Sequence, residues 1–204
     1  PLEWLPTLAA IASERGIDFM ASCFSEEMVD AVDPYVKRHK VASLEITDLS
    51  LLRHIASKGK PVVMSTGSAL PDQVGDAVRA LTGWDGNYPP SFRDVIERAQ
   101  PSLTLLHCVT AYPCPPEDAN LLSMRIGGLS DHTLDPVVAP VMAVALGAVV
   151  IEKHLTLSRS LAGPDHAYAL EPGEFMETVR CVRLAERMLG DGVKRVQPSE
   201  EAWR

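Results

Sequence analysis

The tetrapeptide SDHT, residues 130–133, places one of only six histidines directly after an aspartate, between the run MRIGGL and the apolar stretch LDPVVAPVMAVALG. A second histidine, His154, closes the run AVVIEK. Both stand where a strand should give way to a loop, and so do several other reactive groups. Ser22, Ser43 with Glu45, Ser65 with Thr66, His107 and Ser130 all fall at the C-terminal ends of short apolar runs. In an α/β protein the loops there are free of ladder bonds and can aim side chains at a ligand. Hydroxyls suit the oxygens of an anion, while imidazoles and carboxylates can bind a ligand or move a proton. Lys40 and Lys153, at strand edges, could form a Schiff base with a carbonyl substrate. Along EKH, alternation across a strand puts Glu152 and His154 on one face and Lys153 on the other, toward the helical layer.

The elements that must position these groups follow from the hydrophobic pattern. Six strands are expected: DFMASC (18–23), VASLEI (41–46), PVVMST (61–66), LTLLHC (103–108), RIGGLS (125–130) and AVVIEK (148–153). Between them lie helical patterns. SEEMVDAVDPYVKRH has Ser25 as its N-cap, LSLLRHIASKG ends at Gly59, and PDQVGDAVRALTG ends at Gly83; SFRDVIERAQ and TLDPVVAPVMAVALG follow. The βαβα order allows a doubly wound sheet or a (β/α)₈ TIM barrel. An open sheet gathers its ligand groups at one switch point, whereas a barrel draws on the ends of many strands, so the barrel is favoured. Six strands are two short of closure and the chain opens on a helical run, PLEWLPTLAAIASERG. The expected fold is therefore an N-terminally incomplete barrel occupying residues 1–204 as one domain.

Composition narrows the classes. With 204 residues, 46% hydrophobic, the chain can bury a substantial core. A net charge of −8 argues against nucleic-acid binding, and an anionic substrate would need local positive charge. The longest apolar run is broken by Pro140 and Gly147 and is too short to span a bilayer, so no membrane partner and a cytoplasmic location are expected. Cys23, Cys108, Cys114 and Cys181 form no CxxC pair and are expected to be reduced thiols used for packing. There is no GxGxxG or GxxxxGK[ST] loop for a nucleotide.

Six segments, KVASLEITD (40–48), KPVVMSTG (60–67), LLHCVTAYPCPPEDANL (105–121), GLSDHT (128–133), ALGAVVIEKHLTL (145–157) and GPDHAYALEPGEF (163–175), occur in this order. Together they resemble the barrel domain of the N-acetylneuraminate (sialic acid) synthase family, which includes the legionaminic and pseudaminic acid synthases. The resemblance implies condensation of phosphoenolpyruvate with an N-acyl amino sugar, N-acetylmannosamine-like and in its open aldehyde form, to a nine-carbon 2-keto sugar acid with release of phosphate. It implies a divalent ion, Mn²⁺ or Mg²⁺, that polarises the aldehyde. It assigns that ion to His132 and His154, which as two protein ligands leave positions open for substrate and water. His132, as a loop residue, is expected to be little buried. The other nitrogen of a metal-bound imidazole needs an acceptor, for which Asp131, Glu45 and a strand carbonyl are all open.

The same resemblance gives Lys40 and Ser43 to phosphoenolpyruvate, with Glu45 as their acidic and catalytic neighbour. Ser65 and Ser130 contact phosphate, Tyr112 lies on the substrate-facing loop, and Asp165 of GPDH accepts bonds from sugar hydroxyls. On their own residues the blander alternatives are that Lys40 snorkels to solvent and that GPD is a plain turn. The chain departs from the family pattern in places. Thr110 stands where asparagine is usual, altering one substrate bond, and ASCFS (21–25) replaces STPFS, leaving Ser22 as the hydroxyl. A lysine from the family's first strands and an arginine from a C-terminal antifreeze-like domain, which reaches a partner's site in a homodimer, are absent from these residues. A catalytically inactive or ligand-binding barrel and a Schiff-base keto-acid aldolase are the alternatives.

Overall fold

The computed structural model describes residues 1–84, 102–124 and 127–203. The helix expected over 91–100 and the first two residues of the strand expected over 125–130 lie outside them. In chain order the elements are α1 (Leu5–Glu14), α2 (Glu26–Val32), β1 (His39–Val41), α3 (Leu49–Ser57), β2 (Val62–Ser65), α4 (Pro71–Thr82), β3 (Leu103–Cys108), β4 (Gly128–Asp131), α5 (Val138–Ala145), β5 (Val150–Lys153) and α6 (Pro172–Leu189). Local signals start and stop them as expected. Ser25 Oγ accepts from the Met28 amide at the head of α2, Asp48 does the same for Leu51 at the head of α3, and Gly83 ends α4 in the left-handed region.

The five strands form one parallel sheet in the order β1-β2-β3-β4-β5. An unreversed order leaves no switch point, and right-handed crossovers then place every helix on the same side. The sheet curls into a half-barrel, with its helices outside. Two of the expected strands differ. The segment 18–23 contributes a single bridge, Ser22 to Lys40, and Asp18 at its start pairs with Lys37 and Arg38. The run 41–46 is strand only at its first residue: β1 begins two residues earlier at His39, and Ser43–Thr47 turn into a 3₁₀ helix that leads into the Asp48 cap.

Alternation decides what each strand shows. Val41, Val62, Met64, Leu103 and Leu105 face outward and are buried against Val29, Leu52, Ile55, Ala77 and Val78 of α2, α3 and α4. Leu129 and Ile151 do the same against Ala139 and Ala143 of α5. The intervening residues point into the curl. There Gly128 has no room for a side chain: a Cβ would meet Val150 O at 2.1 Å and Leu106 Cδ2 at 2.9 Å. Gly128→Ala should therefore destabilise the chain by about 3 kcal/mol or more, since the obstructing atom is backbone, read as a lowered urea midpoint.

His39, 1% exposed, sets a pH limit. Burial holds its pKa below the ordinary value even though Nε2 lies 3.0 Å from Asp33 Oδ1. The folded state thus prefers the neutral ring, while the unfolded chain takes up a proton below about pH 6.5. Stability should fall as pH drops from about 6.5 toward the folded pKa, and urea titrations at pH 7.5 and 5.5 should show a smaller loss for His39→Gln.

Candidate active site

The strand ends open onto a cavity of about 710 Å³. Lys40, Ser65, Cys108, Ser130 and Glu152 reach it from the sheet, His132 and His154 from just beyond β4 and β5, and Ser22, Ser43, Tyr112, Asp165 and Tyr168 from flanking loops. Nine predicted residues, Lys40, Ser22, Ser43, Ser65, Tyr112, Ser130, His132, His154 and Asp165, are thereby brought together. Glu45 and Thr110 do not line the cavity. Each has a buried oxygen, Glu45 Oε2 and Thr110 Oγ1, with no hydrogen-bond partner among the described residues. Thr110 Oγ1 instead crowds Gly67, where it, Ser43 Oγ and Cys108 Sγ leave no space for a Cβ.

One end of the cavity is cationic and rich in hydroxyls. Lys40 does not snorkel: at 7% exposure its ammonium donates to Ser65 Oγ at 2.9 Å and Val41 O at 3.0 Å. Its remaining charge faces Glu152 Oε2 at 3.7 Å, and Ser130 donates to Glu152 Oε1 at 2.6 Å. Ser43 Oγ accepts from the Gly67 amide. Cys108 lines this region too, and burial raises its pKa, so it presents a neutral thiol rather than packing alone. Glu152 lies outside the set that the family resemblance assigns, and the signal for it is the EKH register, which sets it on the face of His154.

The other end is a wall of four rings. Tyr112 lies 4.2 Å from His132 and 5.3 Å from Tyr168 between centroids, His132 lies 5.2 Å from His154, and His154 lies 5.1 Å from Tyr168. His132 is 6% exposed, more buried than a loop position implied, because the chain turns it inward beneath Tyr112. Its Nδ1 lies 2.7 Å from Val109 O. A carbonyl only accepts, so Nδ1 carries the proton and the Nε2 lone pair is left free. The acceptor behind the imidazole is thus a strand-end carbonyl. Burial also pushes the His132 pKa down, which keeps the ring neutral.

Among the described residues no cluster of three or more His, Cys, Asp or Glu side chains is arranged to hold a metal ion. His132 and His154 supply two nitrogen donors at a ring separation of 5.2 Å, where rings more than about 8 Å apart could not both reach an ion at roughly 2.0–2.2 Å. The donor set fits an open, catalytic type of site.

Asp131 takes no part in the cavity. On the outer face of the sheet it accepts from Lys153 Nζ at 2.9 Å, the two side chains being 2% and 3% exposed. Lys153 also donates to Thr133 O at 2.6 Å, and the Thr133 amide donates to Asp131 Oδ1 at 2.9 Å. Lys153 thus points to the helical layer as the alternation required, and it is too firmly paired to act as a Schiff-base amine.

A curled parallel sheet with its helices outside and a polar cavity at its strand ends defines an α/β half-barrel domain. Residues 1–194 match the NeuB family, and the chain belongs to it. It is 41% identical over 202 residues to an uncharacterized protein of Methanocaldococcus jannaschii, covering 95% of this chain and 56% of that one. It is 38% identical to N,N'-diacetyllegionaminic acid synthase of Legionella pneumophila, over 95% and 54% of the two chains. The crystal structure of an N-acetylneuraminic acid (sialic acid) synthetase from Leptospira borgpetersenii, in complex with citrate, superposes with a TM-score of 0.84 at 28% identity, covering all of this chain and 69% of that one. The chain spans about half the length of the curated relatives it matches.

Removing Lys153 would strand the Asp131 carboxylate in the protein interior. Lys153→Met should cost about 3–5 kcal/mol by urea unfolding, and adding Asp131→Leu should restore much of it, a coupling that a double-mutant cycle reads directly.

Proposed function

We propose that this chain is the barrel portion of an enzyme that condenses phosphoenolpyruvate with an N-acyl amino sugar, N-acetylmannosamine-like, to give a nine-carbon 2-keto sugar acid and phosphate. The observation that carries the reading is the meeting, in one cavity, of Lys40 bonded to Ser65 with the adjacent imidazoles of His132 and His154. The names of the curated relatives, synthases of legionaminic and pseudaminic acids, support it. On this reading residues 1–204 form one domain of a complete (β/α)₈ barrel in the whole protein, which acts as a homodimer in the cytoplasm. No helix among the described residues is long and apolar enough to cross a membrane.

The residues divide the work. Lys40, Ser65 and Ser43 take the phosphate and carboxylate of phosphoenolpyruvate, with Glu152 holding the Lys40 ammonium in place. His132 and His154 would hold a Mn²⁺ or Mg²⁺ ion, which when bound polarises the aldehyde oxygen of the open-chain sugar. The new bond joins the methylene carbon of phosphoenolpyruvate to the aldehyde carbon. Water then adds at C2, and the C2–O bond to phosphate breaks to leave the 2-keto acid.

Phosphate release by the full-length protein from phosphoenolpyruvate, assayed over a panel of N-acyl amino sugars with and without Mn²⁺, tests the proposal. No release with any sugar would sink it, and so would a borohydride-trapped adduct of Lys40 with pyruvate. His154→Ala is the cleaner variant, because His154 is about one-third exposed where His132 is buried. It should lower the rate by more than about 100-fold with little change in urea midpoint.

A further inference from the structure

The cavity has two chemically distinct ends, and the second contains a residue to which neither the sequence motifs nor the mechanism gives a role. Tyr168 is 8% exposed, its ring lies against Tyr112 and His154, and its hydroxyl donates to Asp165 Oδ1 at 2.6 Å. Asp165 itself is 62% exposed on a loop, and its other oxygen, Oδ2, stands 3.8 Å from His154 Nδ1. A carboxylate so exposed would sample several rotamers if unanchored. With Oδ1 held by the phenol, Oδ2 remains turned toward the cavity.

The anchor is rigid because its backbone is. Leu170 pairs with Leu155 in a parallel bridge, with the Leu170 amide donating to His154 O at 2.9 Å and the Thr156 amide to Leu170 O at 2.9 Å. The Ala169 amide donates to Asp165 O, which closes the turn carrying both side chains. An aromatic face beside an oriented carboxylate is the chemistry that recognises a polyhydroxylated ligand: the ring covers C–H groups and the carboxylate accepts from hydroxyls. The Lys40–Ser65 end is suited to an anion instead.

We infer that Tyr168 is a positioning residue for the sugar acceptor, aiming the Asp165 carboxylate and closing the cavity beside His154. The inference rests on the synthase reading and deepens it by assigning the two substrates to opposite ends. Its test is steady-state kinetics of the full-length Tyr168→Phe protein, together with sugar binding followed by ligand-observed NMR. Loss of a hydrogen bond to an ionised group should raise the acceptor KM about tenfold or more and weaken sugar binding in step. The KM for phosphoenolpyruvate and kcat should stay within about twofold. Asp165→Ala, at a side chain 62% exposed on a loop, should reproduce the acceptor defect with an unchanged urea midpoint, and combining it with Tyr168→Phe should add little further loss.

Unchanged acceptor KM in an active Tyr168→Phe protein would overturn the inference alone. So would an equal rise in both KM values, or losses that add in full in the double variant, since a purely structural role gives those patterns. If the unaltered protein neither binds nor turns over any amino sugar, the synthase reading falls and takes the inference with it.

Discussion

The arrangement of this site hangs on a pair of charges bonded to each other on the far face of the sheet. Asp131 and Lys153 lie opposite each other in the register of β4 and β5, on the face turned to the helices, almost wholly removed from water. Neither could be buried alone, since an unpaired ion in the interior costs several kcal/mol. A slip of one residue between the two strands would turn Lys153 to the other face and leave Asp131 buried without its partner. The pair therefore fixes the register, and through the two-residue alternation it fixes what appears on the other face. Ser130 meets Glu152 there, and His132 comes beside His154.

The cavity shows how an acidic protein can present a local positive charge. A net charge of −8 is spread over the whole chain, but the charge that an incoming ligand would feel is local. Lys40 is pulled off the surface by Val41 O and Ser65, so its ammonium is presented to the cavity rather than screened by solvent. Glu152 balances that charge without pairing it closely, at 3.7 Å, and spends its shorter bond on Ser130. A ligand oxygen would thus meet Lys40 without breaking a tight ion pair.

Much of this was legible in the sequence because it follows from periodicity. Strand-end polar residues, the helix caps at Ser25, Gly59 and Gly83, and the inward and outward faces of EKH all derive from rules with a period of two or from local turn chemistry. What was not legible depended on neighbours distant in sequence. DFMASC has a strand's composition, but only Ser22 reaches a partner, and composition carries no record of pairing. VASLEI reads as alternating, yet Asp48 caps the following helix and draws Ser43–Thr47 into a 3₁₀ turn, and Glu45 does not line the cavity. Tyr168 lies outside any strand in a stretch with no periodic signal, so its contacts with Tyr112 and His154 emerge only when the Leu155–Leu170 bridge folds that stretch back. Whether Asp131 or a carbonyl served His132 was likewise a question of geometry.

The hydrogen bond from His132 to Val109 has a bearing on how this site tolerates genetic change. Its acceptor is a main-chain oxygen, which every residue at position 109 would supply. An alanine scan would pass over the position without noticing it, and random substitution there would leave the imidazole's tautomer intact so long as the strand end kept its path. The orientation of the most chemically exacting ring in the cavity is thereby decoupled from side-chain identity.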